Sequence, residues 1–292
     1  MAGLLDNPFA PTVLACCGFG LVLSLFARLS ASPIPASLVS PVVFLVGYVS
    51  IYQRVPAFPP IGSTSKVFYV TAIGAAIGLG LDLALLLKPR AAVPLRRLCE
   101  IATPAAIAAW IGLPRFADPA LSFLLTLAGL AIGGAVTLRR LDAIASARGE
   151  DGGEMPATTM LATLALGFAP IALFGASSTS FGLCLGLAVG LAVAALVALV
   201  VPRGFAATAI LSAGAGFLAV IDTVTLITQR VDILALLVLL LVLIAGQFGA
   251  RVFLPPRRPG RRLRALIVTA MSASPVLAIV AILFLRHPNP VG

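Results

Sequence analysis

Residues 67–87 read VFYVTAIGAAIGLGLDLALLL, with Lys66 before them and Lys88, Pro89 and Arg90 after them. Within the run Asp82 is the one residue charged at neutral pH. A helix rises about 1.5 Å per residue, so roughly 20 consecutive apolar residues match the ~30 Å hydrocarbon core of a bilayer. A run this long and this uniformly apolar, closed by charge at both ends and by proline at one, reads as a membrane-spanning helix.

The same signature recurs along the chain. The 292 residues are 60% hydrophobic and 10% charged, with a mean hydropathy of +1.12, where a soluble domain carries about 25% charged residues. Apolar stretches bounded by Pro, Gly or charge place spans near residues 12–28, 35–53, 67–87, 98–113 and 119–138, then 157–176, 181–201, 204–227, 232–252 and 265–285. The expected fold is all-α, a polytopic integral membrane bundle of about ten transmembrane helices. The fourth span is short and contains Pro104, which points to a broken or tilted helix.

Charge orients the bundle. Of the 20 Lys and Arg residues, 15 lie in the gaps after odd-numbered spans: Arg28, Lys88–Arg97, Arg139–Arg148, Arg203 and Arg251–Arg264. The other gaps hold Arg54, Lys66, Arg115, Arg230 and Arg286. Basic residues accumulate on the cytoplasmic side, so both termini are expected in the periplasm. The net charge of +10 is absorbed by this pattern and implies no nucleic-acid partner. The lipid bilayer is the partner it implies, with the basic gap Pro255–Arg264 anchoring near anionic lipid.

Arg outnumbers Lys and Ala, Gly and Pro abound, as in the product of a GC-rich bacterial coding sequence, so the expected address is the bacterial cytoplasmic (inner) membrane. Met1–Pro11 holds no Lys or Arg, and no cleavable signal is expected. Cys16, Cys17, Cys99 and Cys184 lack CxxC spacing and read as small apolar packers.

The hydrophilic gap Arg139–Glu154 divides the chain into a five-helix half, 1–138, a cytoplasmic connecting loop, 139–156, and a second half, 157–292. Thr12–Ala15 matches Thr159–Ala162, and Leu130–Arg139 matches Leu277–Arg286 at the same offset. Five spans per half would make these inverted repeats, an architecture common among secondary transporters.

Two acids lie inside spans in corresponding positions, Asp82 and Asp222. A carboxylate in the membrane core costs about 2.5–3.5 kcal/mol on insertion scales, so it normally faces a bundle interior or a water-filled path. Both are candidates for ion coupling or substrate contact. The competing reading gives each a nearby cation or a helix terminus as partner. Gly18 and Gly20 in the first span and Gly167 and Pro170 in the sixth are candidate helix breaks, where unwound backbone would serve a site. Glycines at four-residue spacing, including Gly74 and Gly78, Gly129 and Gly133, and Gly182, Gly186 and Gly190, read as close helix contacts. Glu100, Asp232 and Arg251 read as interfacial.

His287 is the only histidine, and the chain has no Walker A loop and no DDxxD pattern. Histidine-based metal, haem and protease sites are excluded in their usual forms, so no enzyme activity, cofactor or metal is expected. The functional expectation is a secondary transporter or permease moving a small solute or ion, coupled to a proton or cation gradient. The alternative is a non-transporting subunit or scaffold with a membrane-protein partner.

Overall fold

A computed structural model describes residues 8–30, 34–116, 120–146, 154–198, 207–245 and 261–286. Its helices are α1 (Ala10–Leu29), α2 (Ile34–Tyr52), α3 (Ser63–Leu87), α4 (Pro89–Gly112), α5 (Leu121–Ala145), α6 (Glu154–Phe174), α7 (Ser178–Ala198), α8 (residues 207–228), α9 (Ile233–Leu240) and α10 (Arg261–Arg286). Among the described residues eight helices are long and apolar enough to cross a membrane; α4 and α9 are not among them. Arg90, Arg96, Arg97 and Glu100 make α4 too charged, and α9 with its continuation to Ala245 is too short.

Consecutive helices alternate in direction. At the face where α1 begins, here the upper face, Phe9 meets Phe181 at 5.1 Å, Lys66 meets Trp110, and Arg286 at the end of α10 meets Asp232. At the lower face Asp82 meets Thr208 and Arg96 meets Asp142. The start of α1 and the end of α10 thus share one face.

α8 is the central helix, almost wholly buried and packed by α2, α3, α4, α5 and α6. Around it α1 packs on α2 and α7, α6 on α7 and α10, and α4 on α5. Lipid tails are as apolar as leucine, so close packing and hydrogen bonds must hold such helices together. Small residues provide the approach. A Cβ on Gly74 would run into the backbone of Leu211, and one on Gly78 into that of Thr208, so α3 and α8 touch backbone to backbone. Gly20 and Gly190 do the same for α1 and α7. Gly129 and Gly133 do not: nothing lies within 4 Å of a Cβ built on either, and the close contact expected there gives way to open space.

Several helices extend past their expected ends. α4 starts at Pro89 and runs unbroken through Pro104, so the broken fourth span is replaced by a continuous helix. Glu100, expected at an interface, falls inside it and is fully buried. α5 continues to Ala145 through residues assigned to the connecting loop. Charge ends a hydropathy window but not a hydrogen-bonded ladder. Arg96 and Glu100 on α4 pair with each other at 3.1 Å, and Arg96 also binds Asp142 on α5. Residues 147–153, much of the expected loop, and Arg251 lie outside the described residues.

Candidate functional site

The two acids singled out by sequence have different surroundings. Asp82 stands one helical turn beyond Gly78 on the stripe that faces α8. Its carboxylate accepts the Ala207 amide at 2.9 Å, the Thr208 amide at 3.0 Å and the Thr208 hydroxyl at 2.6 Å. These amides belong to the first turn of α8, where helix geometry leaves N–H groups without intrahelical acceptors. Asp82 is therefore a cap supplied by a neighbouring helix, with the helix dipole favouring its charge. At the other end of α3, buried Lys66 donates to the Trp110 carbonyl at 2.7 Å, in the last turn of α4. One helix so carries an anion for a helix start and a cation for a helix end.

Asp222 lies 14 residues further along α8 than Thr208, about 21 Å at 1.5 Å per residue. The structure does not bring the two acids together. Asp222 is 3% exposed, and among the described residues its carboxyl has no hydrogen-bonding or ionic partner. It lines a cavity of about 320 Å³ between α5, α8 and α9, with Leu164 of α6 at its edge. Thr225, one turn on, lines the same cavity, and its buried hydroxyl also lacks a partner among the described residues. The rest of the described lining is mostly aliphatic or aromatic, including Leu130, Phe217, Leu236 and Leu240, with the hydroxyls of Thr126 and Thr137, and no Lys, Arg or His is among the described residues there. Gly129 and Gly133 form part of the α5 wall, where their missing side chains leave the space.

Two features of α8 frame this carboxyl. The helix widens into single π turns at Ile210–Gly214 and Val224–Thr228, the second beginning two residues after Asp222. Such bulges in otherwise regular helices are frequent at functional sites. The helix then ends at Gln229, in the left-handed conformation with φ 54°. Gln229 lines a second cavity of about 300 Å³ with Ser122 and Phe123, and this cavity shares Thr126, Thr225 and Ile233 with the first. A more polar space at the upper face thus adjoins the apolar one that holds Asp222.

The candidate breaks lie elsewhere. α1 passes unbroken through Gly18 and Gly20, and α6 through Gly167 and Pro170. Gly20 serves the α1–α7 contact, and a Cβ on Gly167 would press on Leu239 and Val276. Proline costs one backbone bond, which a buried helix in a bundle tolerates. The irregular backbone belongs to α8, where Gly214 ends the first π turn and, with Gly216, repeats the spacing of Gly18 and Gly20. Compared with protein-family models, curated proteins and solved structures, the chain finds no match.

Proposed function

We propose that this chain is a secondary carrier of the bacterial inner membrane, with Asp222 as its exchange site and Asp82 as part of its framework. The observation that carries the proposal is the unpartnered, buried Asp222 carboxyl at a cavity. Burying a polar group without a partner is costly, and ionisable groups within membrane spans are typically tied to transport. A single carboxyl holds either a proton or a cationic ligand, and that exclusivity is what exchange requires. In the state described, the site adjoins the polar cavity at the upper face, while Phe217, Leu218 and Thr137 line its deeper side.

The proposal includes ten spans, counting α4 and α9, and a periplasmic upper face, supported by the 15 basic residues assigned to the opposite side. An inverted repeat would exchange α3 with α8 and α2 with α7, and both pairs are in contact. It would also match the α1–α7 contact with one between α6 and α2, which is not among the substantial contacts of the described residues. The carrier reading does not depend on the repeat.

A second reading, a membrane subunit without transport, is favoured by one observation: α8 fills the centre, and the cavity opens on the flank. The purified chain reconstituted in liposomes with an internal pH-sensitive dye, under an imposed proton or sodium gradient and a screen of solutes, separates the two. A carrier gives a solute-dependent flux that Asp222→Asn abolishes and a folded Asp82→Asn retains. Flux absent from the wild type, or unchanged in Asp222→Asn, gives the subunit reading its place.

A further inference from the structure

We infer that the ligand of the Asp222 cavity is an amphiphilic amine that enters from the bilayer between α5 and α9; this rests on reading Asp222 as the exchange site. The argument starts from what the lining offers. It presents one carboxyl and one unpartnered hydroxyl, Asp222 and Thr225, in a wall otherwise dominated by carbon. With no Lys, Arg or His among the described residues of that wall, an anion would meet a carboxyl and no counter-charge from them.

A sugar or other polyhydroxylated solute would leave most of its hydrogen-bonding groups facing leucine, each at a desolvation cost. A bare divalent cation needs about six oxygen ligands, and the side chains of Asp222, Thr225, Thr126 and Thr137 supply fewer. An ammonium on an apolar body fits both halves of the surface, because its N–H groups meet Asp222 and Thr225 while its hydrocarbon lies against Leu130, Phe217, Leu236 and Leu240. The volume of about 320 Å³ suits a small molecule.

The route follows from exposure. Leu125 on α5 and Ile233 and Leu237 on α9 line the cavity and are 65%, 67% and 59% exposed, so the mouth is on the apolar flank. α5 and α9 do not pack extensively on each other among the described residues. A ligand dissolved in the bilayer reaches this mouth without crossing water. The polar cavity lined by Ser122, Thr126 and Gln229 then offers the headgroup a way to the upper face.

The test is saturable binding of radiolabelled octylamine to the full-length protein in lipid nanodiscs near neutral pH, with octanol and octanoate as competitors of equal chain length. Two variants are compared with wild type: Asp222→Asn, and Gly133→Leu, which fills the cavity with the carboxyl left in place. Each must elute as a single species with a cooperative melt; should either fail, Asp222→Ser and Gly129→Leu replace them. Octylamine is expected to bind wild type, unlabelled octanoate not to compete, and each variant to weaken binding by about 30-fold or more. No saturable binding to wild type, equal binding to all three proteins, or competition by octanoate equal to that by octylamine would overturn the inference. Octylamine unbound while another solute gives Asp222-dependent flux would overturn the ligand class and leave the carrier standing. Asp222-dependent binding without flux would support the ligand site and remove the carrier.

Discussion

The hydroxyl of Thr208 donates to the carboxylate of Asp82 at 2.6 Å, across 126 residues of sequence, while the Thr208 amide donates to the same oxygen at 3.0 Å. With the Ala207 amide, three donors at the head of the central helix share one acceptor group from α3. Asp82→Ala would leave those amides without a protein partner, and the expected loss is about 2 kcal/mol. Asp82→Asn keeps one oxygen acceptor, so its loss should be smaller. Thermal melts of the detergent-solubilised protein check the order wild type, Asn, Ala; an alanine variant as stable as wild type would refute the cap.

The contact that brings Asp82 to Thr208 depends on Gly74 and Gly78. A methyl group at Gly78 meets the Thr208 and Ala207 backbone, which has no flexible end to move away. Gly78→Ala is expected to destabilise by about 1–3 kcal/mol, in the range of overpacked cores. Gly80, two residues along the same helix, has nothing within 4 Å of a Cβ. Gly80→Ala should be neutral or slightly stabilising, since alanine favours the helix by up to about 1 kcal/mol over glycine. Equal effects at the two sites in the same melting assay would count against the α3–α8 contact.

That contrast shows what the sequence discloses. The run 67–87 identifies a span because length and apolarity are local properties, and the lone Asp222 in an apolar run flags itself. Gly74 and Gly78 share their spacing with Gly129 and Gly133, yet the first pair closes a helix contact and the second opens a cavity. The difference lies in what stands opposite, which spacing alone does not encode. α4 begins before its expected start because Arg96 finds Asp142, 46 residues away on α5. The second π turn of α8 holds neither Pro nor Gly, and the first ends on Gly214, which with Gly216 repeats the spacing of Gly18 and Gly20, so composition does not separate a helix that widens from one that stays regular.

At the upper face, Asp232 caps α9 through the Leu234 amide at 2.8 Å and takes the Arg286 guanidinium at 3.0 Å. Partial burial works to raise its pKa, but Arg286 and the amides of Ala235 and Leu234 outweigh burial and hold the carboxyl below its ordinary value. A group depressed on folding stabilises the fold fully above its unfolded pKa, about 3.9, and loses that contribution as pH falls through the lower folded value. Thermal stability should therefore drop below about pH 4, and Asp232→Asn should flatten that part of the profile. Arg286 is half exposed, so at neutral pH its truncation to alanine should cost about 1 kcal/mol or less. A profile over the acid range identical in wild type and Asp232→Asn would show that the pair contributes nothing.

The lower face gives the opposite regime. Glu100 is fully buried and held by Arg96 at 3.1 Å, with Arg139 at 3.9 Å from its other oxygen. Arg96 also binds Asp142, which accepts the Ser146 hydroxyl at 3.1 Å. Removing Arg96 leaves two acids near each other, one of them buried, with Arg139 as a distant partner. Breaking such a pair from one side typically costs about 3–5 kcal/mol, whereas replacing both members with apolar residues of similar volume is often neutral. Arg96→Met should accordingly be the most destabilising of these substitutions, and Arg96→Met with Glu100→Met should recover much of the loss. A double-mutant cycle read by melting measures that coupling, and strict additivity would mean that Arg96 stabilises α4 by some route other than the Glu100 carboxylate.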